Sequence, residues 1–163
     1  MIQRVQTIFL FLIAVAMVLA LANPLWEKAG TQPNELANLT ALQYSQVQAV
    51  DGRPAPATYI TSVWYLALLM GVVAIVALVA LTQYKNRLLQ TGLCAVNALM
   101  LTAIMGIILY RTLYVAKSYG SPDNQGDFQT GFYAIIAALV FNALANRFIR
   151  RDEKLVRGSD RLR

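Results

Sequence analysis

Two long apolar runs, residues 59–82 and 88–110, are separated only by Gln83-Tyr84-Lys85-Asn86-Arg87. Each run is long enough to cross a bilayer as a helix, which takes about 20 apolar residues. Five intervening residues leave room only for a tight reversal, so the pair is predicted to form a membrane-spanning hairpin. Lys85 and Arg87 make the reversal basic, and short basic loops stay on the cytoplasmic side. Two further runs, 5–22 and 131–149, extend the prediction to four spans with both termini inside. The expected fold is an all-α membrane protein, four transmembrane helices in an antiparallel bundle forming a single domain over 1–163.

The run 5–22 is closed by Asn23-Pro24. Proline has no amide N–H and restricts the residue before it, which places the helix end near Asn23. A basic start, an apolar stretch and Ala20-Leu21-Ala22 also fit a secretory signal, but the stretch spans 18 residues, longer than the roughly 7–15 of a signal core. A retained helix is the expected form, and the topology is the same in both readings.

Outer loop 23–58 holds four of the five prolines. Gln43–Val50 followed by Asp51-Gly52 suggests a small β-hairpin near 39–58. So short a segment cannot build its own core without disulfides, so if ordered it must lean on the helix ends. Its charges, including Glu27, Lys28, Glu35 and Asp51, read as solvated. The second outer loop, 111–130, carries Arg111, Lys117, Asp123 and Asp127 and a turn signal at Gly120-Ser121-Pro122-Asp123. Trp26, Tyr59, Trp64, Tyr110, Tyr114, Phe132 and Tyr133 all fall near the expected outer surface, where amphipathic rings anchor. Ala67, Gly71, Ala74 and Ala77 form either a close-packing stripe or part of an alanine-rich helix with no special face.

Composition sharpens the picture. The chain is 58% hydrophobic and 13% charged, against roughly a quarter charged in soluble domains. The net charge of +6 does not point to nucleic acid, because half of the 14 basic residues lie in 147–163, directly after the last apolar run. That is the pattern of a cytoplasmic membrane flank. Arg147, Arg150, Arg151, Lys154, Arg157, Arg161 and Arg163 are the candidate contacts to membrane lipids or to a cytoplasmic partner. Glu153 and Arg157 stand four apart in the favourable helical order, and the last helix is expected to run to about Gly158.

Candidate chemistry is sparse. Histidine is absent and Cys94 is the single cysteine, so no Cys/His metal site or intrachain disulfide is expected. No nucleophile–base pair and no phosphate-cradling glycine loop occurs, and no charged residue lies at mid-membrane depth. No catalytic residue, cofactor or metal is assigned. Asn97 and Asn142 are the informative polar positions. Counted from the inner ends of their spans at about 1.5 Å per residue, they lie roughly 13 and 10 Å deep. A hydrogen bond between them is expected, on the order of 0.6 kcal/mol.

The opening Met1-Ile2-Gln3-Arg4-Val5-Gln6 resembles the start of an uncharacterised four-helix integral membrane family of Bacteroidota. The close resembles that family's end, from Leu144-Ala145-Asn146-Arg147 and Ile149-Arg150-Arg151-Asp152-Glu153-Lys154-Leu155-Val156-Arg157 to Asp160-Arg161-Leu162-Arg163. The resemblance implies a bacterial inner-membrane protein with a retained N-terminus and brings no activity. The layout is also superficially similar to claudin-type proteins, whose paired loop cysteines and Trp-Gly-Leu-Trp pattern are missing here.

The residues and the resemblance together point to a non-enzymatic structural or interaction subunit, with lipids, a membrane-protein complex partner or a second copy as its contacts. The alternative is a small transporter or channel subunit, or a lipid-binding protein, using a polar site near Asn97 and Asn142.

Overall fold

A computed structural model describes residues 2–32, 35–48, 57–83, 86–121 and 123–160. Four helices account for the apolar runs: α1 (Ile2–Ala22), α2 (Trp64–Thr82), α3 (Arg87–Tyr110) and α4 (Thr130–Asp160). All four are long and apolar enough to cross a membrane. Helix α1 packs most extensively against α4 and also against α2, while α3 packs against α2 and α4. The four therefore close into a ring in which every helix has two neighbours. Phe9 of α1 stacks on Phe148 of α4, centroids 5.6 Å apart, and meets Phe141 at 6.1 Å.

Each helix turns one apolar stripe inward. On α2 this stripe is Leu66, Met70, Val73, Ala77 and Ala80, alternating steps of three and four that keep residues on one face. Ala67, Gly71 and Ala74 flank it, and a side chain added at Gly71 would meet nothing within 4 Å. No neighbouring helix comes that close at Gly71 itself, whereas Ala77 belongs to the inward stripe. The remaining faces expose large apolar residues such as Ile8, Phe11, Leu68, Ile75 and Leu99.

The reversal between α2 and α3 is tight. Asn86 N–H donates to the Gln83 carbonyl, and the Asn86 side chain accepts from Leu89 N–H at 3.2 Å to cap α3. Tyr84 and Lys85 lie outside the described residues.

The opposite end of the ring corrects the all-α expectation. It carries a five-stranded antiparallel sheet, β1 (Trp26–Ala29), β2 (Leu36–Leu39), β3 (Gln43–Gln48), β4 (Ala57–Ser62) and β5 (Asp127–Phe128), in the order β4-β3-β2-β1-β5. The hairpin expected near 39–58 is its β3–β4 unit, displaced toward α2; the Asp51-Gly52 turn lies outside the described residues. Strand β4 takes residues 59–62 from the predicted second span, which starts at Trp64 instead. Tyr-Ile-Thr is β-branched and aromatic, so it suits a strand as well as an apolar run. The second outer loop is also more ordered than predicted. Helix α3 continues as a π-helical turn (Arg111–Val115) and a 3-10 turn (Ala116–Ser118), and the chain then adds β5.

The sheet leans on the bundle as its size requires. Its inner face presents Trp26, Ala37, Leu39 and Tyr44, all buried, and register aligns Trp26 with Leu39 and Leu39 with Tyr44. Backbone bonds tie it down: Val63 N–H to Leu42 O, Ala67 N–H to Ala41 O, Gln129 N–H to Leu25 O and Gly131 N–H to Pro24 O. The Tyr119 hydroxyl donates to the Val47 carbonyl. Trp26 and Phe132, expected as interfacial anchors, are core residues. Phe132 stacks on Phe128 at 4.0 Å, and the Trp26 indole N–H donates to the Gln125 carbonyl at 3.1 Å. Tyr59, Trp64, Tyr110, Tyr114 and Tyr133 are exposed.

Candidate functional site

Among the described residues, polar side chains enter the bundle interior in the half nearest the α2–α3 reversal. On α3 the inward stripe begins Gln90, Cys94, Asn97 and then turns apolar with Leu101, Ile104 and Ile108. Gln6 of α1 and Asn142 of α4 are buried as well. Gln90 Nε2 donates to the Ala80 carbonyl of α2 at 3.1 Å, and Asn142 Nδ2 donates to the Cys94 carbonyl of α3 at 2.9 Å. These two amides tie α3 to both neighbours.

The expected Asn97–Asn142 hydrogen bond is not formed. Asn142 spends its donor on the Cys94 backbone, one turn before Asn97, and both amide atoms of Asn97 have no partner among the described residues. A carbonyl fixed in the helix is a competing acceptor that residue counting cannot see. Asn142 Oδ1, Gln90 Oε1 and Gln6 Oε1 are likewise buried and unpartnered. Each such group ordinarily costs about 1–3 kcal/mol.

The basic tail continues α4. Arg147, Arg150 and Arg151 are exposed, and Arg150 Nε donates to Asn146 Oδ1 at 3.0 Å. Lys154 and Arg157 belong to the same helix, which runs two residues past Gly158. Arg161 and Arg163 lie outside the described residues.

The sheet end holds charged groups that the sequence left in solvent. Lys28 is only 3% exposed, and its ammonium donates to the Ala116 carbonyl at 3.3 Å. Burial pushes its pKa below the ordinary lysine value. The signal available in sequence was parity: Lys28 stands two residues from Trp26, on the same face of β1. Glu27, on the opposite face, accepts from Asn38 Nδ2 and Gln129 Nε2. Arg111 donates through Nε and Nη2 to the Tyr65 hydroxyl at 3.1 and 2.8 Å.

Strand β4 is one of the two edges of the sheet, and among the described residues it pairs only with β3. Residues 58–62 are exposed on both faces, with Tyr59 56% and Ile60 63% exposed. Tyr59 aligns with Gln46, on the face that Tyr44 buries, so β4 overhangs its support.

Four membrane-length helices capped at one end by a sheet, with polar groups buried in the other half, define a class of helical protein with an ordered β-cap. Residues 2–162 match the family model DUF4293, a domain of unknown function. The chain belongs to that family. Comparison with curated proteins gave no match.

Proposed function

We propose that the protein is a non-enzymatic, multi-pass subunit of the bacterial inner membrane that engages a membrane-protein partner through its β-cap. The apolar outer faces of the four helices favour lipid as solvent, and the basic reversal and tail favour cytoplasmic termini. The observation that carries the interaction reading is β4. A strand paired along one edge, with large apolar side chains exposed on both faces, is a surface that soluble monomers avoid. Partner strands add readily to such edges.

The test is gentle solubilisation from the native membrane, affinity capture and mass spectrometry, with wild type beside Ile60→Lys and a chain truncated before Arg150. A stoichiometric partner lost in Ile60→Lys supports the cap as the contact. Loss in the truncated chain alone moves the contact to the tail. A clean homo-oligomer carrying a small molecule would replace the subunit reading.

The second reading, a transporter or channel subunit with a polar site, draws support from Asn97, whose buried amide has no partner among the described residues. It requires that Asn97→Leu abolish function while Ile60→Lys leaves it intact.

A further inference from the structure

A cavity of about 280 Å³ lies where β1 meets the continuation of α3, lined by Lys28, Thr112, Leu113, Tyr114, Lys117, Asn124 and Gln125. Among the described residues its lining carries two lysines and no carboxylate. Lys28 reaches it from the buried face of β1 and Lys117 from the 3-10 turn. The Lys28 ammonium has three N–H donors, and among the described residues one hydrogen bond is made, to the Ala116 carbonyl.

That carbonyl belongs to the C-terminal end of a helix, where a cation is favourable by about 0.3–1 kcal/mol and at most about 2. Removing an ammonium from water costs several kcal/mol, so the helix end alone does not account for a buried lysine. Buried charges are paired, and the unmet requirement here is an anion. The second ammonium and the carboxamide chains beside it supply further donors around the same space. Lysine is a common phosphate binder, acting as a point charge that several phosphate oxygens can share.

We infer that the cavity between β1 and the end of α3 binds a phosphate group, with Lys28 as its buried counter-charge and Lys117 closing over it from the rim. Exposed Leu113 and Tyr114 form the adjoining wall, so the group arrives either as free phosphate or as the phosphodiester of an anionic lipid. This site is independent of the partner reading, which rests on β4.

The experiment uses the full-length protein in nanodiscs. Inorganic phosphate is titrated against chloride at matched ionic strength in phosphatidylcholine discs, and phosphatidylglycerol discs are compared by lipid co-purification. Wild type, Lys28→Met and Lys117→Gln are examined together. Saturable phosphate binding, weakened about tenfold or more in both variants, supports the site with free phosphate as ligand. Retention of phosphatidylglycerol that both variants lose supports it with lipid as the source. Absence of both phosphate binding and selective lipid retention in wild type overturns the proposal, as does binding that neither variant changes. If Lys28→Met fails to fold, exposed Lys117 still decides: binding unaffected by Lys117→Gln refutes the site. Loss of partner capture in Ile60→Lys with phosphate binding intact would separate this site from the β4 contact.

Discussion

Gly126 packs closely against the indole of Trp26. A β-carbon built at Gly126 would stand 2.7 Å from two ring carbons and 2.6 Å from the Glu27 carbonyl, and the residue has a φ of +74°. The contact joins residues a hundred positions apart and lets the second connection dock on β1.

Gly126→Ala is therefore expected to destabilise the cap. The left-handed backbone costs a side chain about 1–2 kcal/mol, and overpacking adds about 1–3. Gly71→Ala, facing open space, should be neutral or slightly favourable. Thermal unfolding followed by tryptophan fluorescence checks both, since Trp26 reports the cap. Equal melting temperatures for the two variants would contradict the packing described.

Asn97 and Asn142 should respond differently. Asn142→Leu removes the bond to the Cys94 carbonyl and is expected to cost about 0.6 kcal/mol, the average for such interhelical bonds. Asn97→Leu removes two unpartnered polar atoms and should be neutral or stabilising. The double mutant should be additive within about 0.5 kcal/mol. Coupling well beyond that in a double-mutant cycle would mean that the two amides do bond.

Tyr65→Phe removes the acceptor of two Arg111 donors. Arg111 is half-exposed, so water compensates in part, and a loss of about 1 kcal/mol is expected. Denaturant unfolding in detergent measures it; Tyr133→Phe, an exposed tyrosine of α4, serves as the unaffected control.

Lys28 gives a pH signature. Its folded pKa lies below the unfolded value of 10.5 because burial disfavours the charge. Between the two values the unfolded chain holds a proton that the folded chain has lost, so stability rises with pH across that window. Tyr44 and Tyr119 act oppositely. Burial raises both above 10.0, with the Glu35 charge adding to the effect at Tyr119 and the Gln46 hydrogen bond opposing it at Tyr44. Stability therefore falls as pH climbs past 10. In Lys28→Met the rising part should vanish while the fall remains. Melting temperatures of wild type and variant from pH 7 to 11 test this, and parallel curves would remove Lys28 from the account.

The membrane arrangement is testable through the single cysteine. In a Cys94→Ala background, Lys117→Cys should react with an impermeant maleimide on intact cells, and Arg151→Cys only after permeabilisation. The reverse pattern would invert the proposed orientation.

Helical runs were legible because each repeats an apolar signal over some 20 positions, and the reversal at Asn86 followed from how little chain remained. Of the sheet only the β3–β4 hairpin was legible, and the other strands show why. Strand β1 is Trp-Glu-Lys-Ala, half charged, and β5 is two residues long. Their pairing is set by partners about a hundred residues away, such as Trp26 with Phe128. No local pattern encodes that. Lys28 is the sharpest case: its charge argued for water, and only the strand's parity placed it with Trp26. Asn97 and Asn142 were recognised as buried polar positions, but the Cys94 carbonyl, which decides their bonding, is a backbone group that every residue possesses.

The close packing of α1 against α4 sets an order of manufacture. The first helix made has as its main neighbour the last, and β1 gains its second neighbour only from β5, just before α4. At about 5–20 residues per second, roughly 6–25 s separate emergence of α1 from that of α4. Throughout that interval the inward stripe of α1 and the outer edge of β1 lack their final partners. The nascent chain thus carries unpartnered apolar surface until α4 is made, and truncations anywhere before α4 should be cleared as incomplete rather than accumulate as smaller folded forms.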